Sequence, residues 1–439
     1  MSSKLIWQIS LLARQIWFRA TLFCIAAIAT ALMAILISPY LPANLSTRIG
    51  ADSVDRILGI IASSMLTVTT FSLSTMVSAF SAATSNVTPR ATRLVMEDST
   101  TQNVLATFVG SFLFSLVGII ALTTGAYGEQ GRVVLFIVTI GVVALIVITL
   151  LRWIDHLSRL GRVTETTRRV EQATIDAIEK WQATPNLGGK ALPNNTAPAK
   201  DSAKLVQSDK VGYVQHVDSG ALAAIANDIA MDIFISAIAG TIVGPGSTIA
   251  WTSKVIDDEV RAKILGCFAI DDTRSFDQDP RFGASVLSEI ASRALSPAVN
   301  DPGTAIDVLS RTFRILVAWR DAVARQDGRV LYPALHVASI DVSDLFDDLY
   351  TPVARDGAGI VEVGLRLQKT LALAADLGLE YRRNAKRHSQ EALDRADKAL
   401  HIDVDRKRLK DASVSAKLAF NMPSKSVRME SFSDGERSQ

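Results

Sequence analysis

The chain is 439 residues long, room for two or three folded units at roughly 150 residues each, and 49% of it is hydrophobic. A formal net charge of +2 provides no basic footprint for a nucleic acid, so that partner class is excluded. Two cysteines, Cys24 in an apolar run and Cys267 far along the polar part, exclude a disulfide framework and a thiolate-rich metal site.

The apolar residues concentrate before Trp153. A bilayer core of about 30 Å needs roughly 20 apolar helical residues. Uncharged stretches of that order predict four transmembrane helices, near Phe18 to Ile37, Ile57 to Phe80, Val104 to Ala126 and Val133 to Trp153. A cleaved signal peptide ending near Leu41-Pro42-Ala43 is the rival reading of the first. Its apolar core exceeds the roughly 7–15 residues of such signals, and three further spans follow. Ahead of it, over residues 1–17, Leu5, Ile6, Ile9, Leu12 and Ile16 share a face opposite Lys4, Gln8, Gln15 and Arg19, with Trp7 and Trp17 suited to the headgroup level; an interfacial amphipathic helix is expected. Basic residues set the orientation. Lys4, Arg14, Arg19, Arg90, Arg93, Arg152, Arg159, Arg162, Arg168 and Arg169 flank one side, against Arg48, Arg56 and Arg132 on the other, which puts both termini in the cytoplasm.

The second span carries a pattern of its own. Ser63, Thr67, Thr70, Ser74, Ser78 and Ser81 follow one another at spacings of three or four, so they stack on one helix face. Two readings stand: hydroxyls that let helices pack closely, or a pore lining repeated around a symmetric oligomer, whose oxygens partly replace an ion's water shell. No Asp, Glu, Lys or His lies within the span, so a passive path is favoured over a pump. Arg90 and Arg93 follow at its cytoplasmic mouth, where they satisfy the topology rule or attract anions or lipid headgroups.

Residues 18–153 therefore form the transmembrane domain, and 154–183 continue as a helical neck. Pro185, Gly188, Gly189, Pro193, Asn194, Asn195 and Pro198 give residues 184–210 the composition of a linker. A cytoplasmic α+β domain is expected over 211–403 and a largely disordered tail over 404–439. Val211 to Val217, Met231 to Ala239, Thr248 to Thr252 and Leu331 to Ile340 read as strands. The helical stretches are Ser219 to Ala230, Asp257 to Phe268, Val342 to Val353, Gly359 to Leu377 and Ser389 to His401. The glycine turn from Gly240 to Ile249 resembles that of biotinyl and lipoyl-like barrel-sandwich domains, with Val243 and Ile249 inward. No lysine sits at a hairpin tip, so no covalently carried cofactor is expected.

One helix stops before Pro297 and another starts at Asp301, an N-cap candidate followed by Pro302. At this corner Ser296, Asn300, Asp301 and Thr304 either cap backbone groups or bind an ion or polar ligand. The Ser-Pro-Ala-Val-Asn-Asp-Pro run at 296–302, with Val211-Gly-Tyr-Val-Gln, the glycine turn and the four spans, resembles a bacterial family of predicted membrane proteins catalogued only as a domain of unknown function. The resemblance runs from about Trp17 to about Leu400. Ala298 stands where that family usually has glycine, so the position does not require a positive φ here. The resemblance implies a bacterial membrane protein and no particular reaction.

His156, His216, His336, His388 and His401 show no paired ligand spacing, and neither G-x-x-x-x-G-K nor G-x-S-x-G occurs. Asp257, Asp258, Glu259, Asp271, Asp272, Asp344, Asp347 and Asp348 suit solvated turns as well as a metal. No enzyme, metal or cofactor is expected. The expectation is a homo-oligomeric channel for an ion or small solute in the bacterial inner membrane, with a cytoplasmic vestibule. The alternative is a membrane scaffold or sensor whose soluble domain binds a ligand or partner.

Overall fold

In the computed structural model, residues 15–37, 51–96, 98–124, 129–193 and 204–421 are described, with the isolated positions 4, 7, 8, 12, 196 and 201. They form two compact units, Trp7–Thr166, and Met1–Ile6 with Thr167–Gln439.

The first unit is helical: α1 (Ile16–Ile37), α2 (Ala51–Asn86), α3 (Pro89–Met96), α4 (Ser99–Thr123) and α5 (Glu129–Arg159). In hydrocarbon every backbone polar group needs an internal partner, which a helix supplies within one segment. Three helices are long and apolar enough to cross a membrane, over Ser53–Ala82, Ser99–Thr123 and Gly131–Arg159. The expected first span lies in α1, where the apolar stretch Trp17–Thr30 is shorter than that. Most of the expected interfacial helix over 1–17 lies outside the described residues.

The central helix is α4, packed against α1, α2 and α5. Small residues allow it. A Cβ at Gly110 would lie 3.3 Å from the Phe23 carbonyl oxygen, and one at Gly118 would lie 3.0 Å from a Leu58 methyl. Around them Val54, Leu58, Phe114, Ala121 and Leu135 form one apolar cluster, and Ile61, Met65, Val104, Phe108, Ile146 and Trp153 a second.

The second unit is mixed. After α6 (Val163–Ala183) and a 3-10 turn come β1 (Lys190–Leu192), β2 (Leu205–Gln207), β3 (Gly212–Val217), α7 (Ser219–Asp228), β4 (Ile233–Ile235), β5 (Ile242–Val243), β6 (Thr248–Thr252), α8 (Asp258–Gly266) and β7 (Phe268–Asp271). Then follow α9 (Pro280–Ala294), α10 (Pro302–Ala324), β8 (Leu335–Ala338), α11 (Val342–Asp356), α12 (Val361–Ala375), α13 (Leu379–Ala399) and α14 (Asp403–Asn421). One sheet has the order β1-β8-β4-β6-β2 and the other β5-β3-β7. The helices from α9 onward pack on one another.

Three expectations change here. The barrel-sandwich element does not form: Val243 and Ile249 are buried, but β5 and β6 on either side of the turn join different sheets and no barrel closes. Its glycine has another use, since Gly240 has φ +92° and a Cβ there would sit 2.4 Å from Asp279 Oδ2. The segment 184–210 is no plain linker, because β1 pairs parallel with β8 and β2 antiparallel with β6. Strands of three residues carry no local signal when their partners lie far along the chain. In the region 404–439, α14 is a helix to Asn421, with Leu409 buried against Ala396 and Leu400; residues 422–439 lie outside the described ones.

A buried carboxylate ties α6 to α10. Glu171, 7% exposed, accepts from Arg311 Nη1 at 2.7 Å and from Arg314 Nη2 at 3.0 Å. Burial alone would raise its pKa, but the two guanidiniums outweigh that and hold it below the usual carboxylate value. A depressed pKa contributes stability above the unfolded-state value and loses it as pH falls through the folded value. Glu171→Ala is expected to cost about 3 kcal/mol, the low end for breaking a buried pair because Arg314 reaches solvent. Denaturant unfolding of the detergent-solubilised protein should show that deficit at neutral pH and a smaller one in acid. A second contact nearby is steric: a Cβ at Gly283 of α9 would lie 1.9 Å from Thr174 Oγ1 of α6. Gly283→Ala should lower the thermal midpoint through overpacking of about 1–3 kcal/mol, with partial recovery when Thr174→Gly is added.

A hydroxyl-lined helix face as candidate functional site

The stripe on α2 begins as a choice of residue types. Serine and threonine hydroxyls in a helix can donate back to the carbonyl four residues earlier. Ser63 does so to Gly59 at 3.0 Å, Thr67 to Ser63 at 3.0 Å, Thr70 to Leu66 at 3.1 Å, and Ser78 to Ser74 at 3.0 Å. Each such oxygen has committed its proton and keeps lone pairs for another partner.

Ser63, Thr67, Thr70, Ser74, Ser78 and Ser81 are all exposed on the chain. The buried side of α2 is a different one, made of Val54, Leu58, Ile61, Ala62, Met65, Ser72 and Met76. Close packing of the stripe on another helix of the same chain is therefore not what the described residues do. Exposed Ile60, Leu66, Phe71, Leu73 and Val77 stand beside it, so the outward surface of α2 alternates hydroxyl and apolar strips.

One hydroxyl of this helix is used inward. Trp153 Nε1 of α5 donates to Ser72 Oγ at 2.9 Å, and the Trp153 ring stacks on His156 at 5.6 Å between centroids. His156 Nε2 lies 3.0 Å from Asp98 Oδ2 and 3.1 Å from Thr101 Oγ1 at the start of α4. Asp98 is the N-cap of α4, accepting from the Thr101 N–H at 2.8 Å. A polar chain thus runs from α4 through α5 to α2 and fixes which side of α2 faces in. Sequence reasoning missed it, because Ser72 and His156 are each unremarkable without the fold; an isolated histidine closing a long apolar helix was the available signal.

Beyond α2, Arg90 is exposed and Arg93 half-buried, both on α3, with Arg93 in its last turn. The motif corner in the second unit has capping geometry. Asp301 accepts from the Thr304 N–H at 3.0 Å and from its hydroxyl at 2.6 Å, the two contacts that hold its pKa below the usual value. Asn300, at φ +50°, donates its N–H to Ser296 O at 2.8 Å. The positive φ falls on Asn300 and not on Ala298, as asparagine tolerates it better than other residues with a Cβ. Asn300 and Asp301 are exposed and Ser296 and Thr304 half-buried.

The acidic groups have structural partners too. Asp257 caps α8, Asp344 and Asp348 hold Arg281, and Asp347 pairs with Arg387. Asp301→Ala is expected to lower unfolding stability by about 1 kcal/mol through loss of the cap. Ser72→Ala should cost about 1–2 kcal/mol by stranding the indole N–H, and faster hydrogen exchange in α2 and α5 would register it.

A family described as "Predicted membrane protein (DUF2254)" matches residues 13–373. Uncharacterized proteins of Mycobacterium bovis and of Mycobacterium tuberculosis strain H37Rv are each 25% identical over 262 residues, 58% of this chain and 50% of theirs. The chain spans about half the length of these curated relatives. No solved structure matches.

Proposed function

This chain belongs to DUF2254, a family of predicted membrane proteins, and on that premise we propose that it is a homo-oligomeric channel, a passive conduit for an ion or small solute in the bacterial inner membrane. Its path is lined by the outward face of α2. The observation that carries the reading is that six hydroxyls occupy one exposed strip of a membrane-length helix. Lipid offers those oxygens nothing to bond. Facing the same strip on other copies across an axis, they form rings of oxygens, with the protons of Ser63, Thr67, Thr70 and Ser78 already committed to backbone carbonyls, which suits water and cations. The apolar strip beside them, Ile60, Leu66, Phe71, Leu73 and Val77, supplies contact between neighbouring copies.

In this reading α1 is the fourth crossing, and the excess of arginine and lysine on one side keeps both termini in the cytoplasm. The sheet-bearing unit is then a cytoplasmic vestibule, with Arg90 and Arg93 at the mouth. The absence of charged residues from positions 57–80 of α2 argues for downhill flow without proton coupling.

Single cysteines at Thr67, Thr70, Ser74 and Ser78, in a Cys24→Ser, Cys267→Ser background reconstituted in liposomes, test the path. Water-soluble thiol reagents are expected to reach them and to block cation or solute flux, while cysteines at Val54 and Leu58 stay protected. Absence of any flux from the reconstituted protein, with all four positions unreactive, overturns the conduit. A sensor or scaffold is the second reading, favoured by a cavity in the sheet-bearing unit.

A further inference from the structure

That cavity has a volume of about 340 Å³ and lies where the end of α6, the end of α10, the start of α11 and the first turn of α13 converge. Two tryptophans line it, Trp181 and Trp319, each about 95% buried, at 6% and 5% exposure. Two carboxylates stand at its rim, Asp341 and Glu380, and Gln182 and Gln326 complete the polar lining, the Gln326 amide donating to the Gln182 oxygen. Among the described lining residues there is no lysine, arginine or histidine. Their formal charges are therefore of one sign.

The carboxylates are placed to want a cation. Asp341 caps α11, where the Ser343 N–H at 2.8 Å holds its pKa below the usual value. Burial and then the negative charge of Asp341 push the Glu380 pKa up. Arg383, further along α13, offsets this only in part. A second cavity of about 280 Å³ shares Gln182 and Gln326 with the first; there Glu179 is paired with Arg325 at 3.6 Å, so it differs from the first in holding a cation of its own.

We propose that the Trp181–Trp319 cavity binds a small organic cation through an ammonium group seated between the indole walls and the Asp341–Glu380 pair. Tryptophan is the strongest aromatic partner for such a group, and desolvated sites strengthen the attraction. Diamines and polyamines would use N–H donation to both carboxylates, whereas methylated ammoniums would rely on the indoles. The shared chemistry is the ammonium, and the volume accommodates either. This inference is independent of the conduit, so the two can fail separately; it gives a sensing role its ligand class.

Calorimetry and tryptophan fluorescence on the full-length protein in detergent test it with putrescine, spermidine and choline. Saturable binding with a fluorescence change is expected for at least one of them. Glu380→Gln, on an exposed side chain that keeps its shape, should weaken binding about tenfold. Trp319→Phe should weaken choline more than putrescine if the indole carries the methylated group. No saturable binding of any of the three up to about 10 mM, or unchanged affinity in both Glu380→Gln and Asp341→Asn with their thermal transitions intact, overturns the proposal. So does tighter binding of glutamate or phosphate than of any ammonium.

Discussion

Everything in the helical unit depends on a single constraint, that a donor in hydrocarbon must find its acceptor within the protein. The backbone meets it by winding into α2, α4 and α5. The hydroxyls of α2 meet it by returning their protons to the carbonyls four residues back, at 3.0–3.1 Å for Ser63, Thr67, Thr70 and Ser78. This second solution lets these four polar side chains face outward on a helix whose other side is packed against α4. The same constraint explains why the indole N–H of Trp153 is spent on Ser72 and the His156 ring on Asp98 and Thr101. Those contacts set the rotation of α2, and the rotation exposes the stripe.

In the sheet-bearing unit the analogous problem is electrostatic. Glu171 on α6 is buried with Arg311 of α10, each charge tolerable because of the other, and Arg314 joins them from the solvent side. Gly283 allows α9 to close against Thr174 of the same α6. The helix that leaves the apolar region is thus held along its length by a charge cluster and a glycine contact. Its far end, at Trp181 and Gln182, becomes a wall of the cavity.

Legibility in the sequence followed how local each signal was. Asp301 was readable as an N-cap with Pro302 at the first helical position, and Thr248–Thr252 as a strand, because both rest on residues within a few positions of one another. The hydroxyl stripe was readable for the same reason, since spacings of three and four place side chains on one face without reference to anything else. What the stripe faces was not readable. Packing within the chain and exposure to the outside have the same spacing, and only the burial of the opposite side, Leu58 through Met76, separates them. The strands β1 and β2 were hidden because Lys190 finds its partner at His336, and Leu205 at Trp251. The start of α13 at Leu379 lay ten residues before the expected Ser389, since its first turns are charged and polar and are retained by packing on α11 and α12.

The sequence by itself determined that the chain is a membrane protein with a polar second part, that its second span bears a hydroxyl face, and that one helix stops before Pro297 and another starts at Asp301. Those follow from composition and from periodicity, which are properties of short stretches. Tertiary structure decided the rest: that the strands around the glycine turn divide between two sheets, that Asn300 carries the positive φ, that Ser72 is the inward hydroxyl, and that Trp181, Trp319, Asp341 and Glu380 meet at one cavity. Trp181 lies about 140 to 200 positions before the other three and becomes their neighbour only through packing and long-range pairing. No period or local propensity encodes such a meeting.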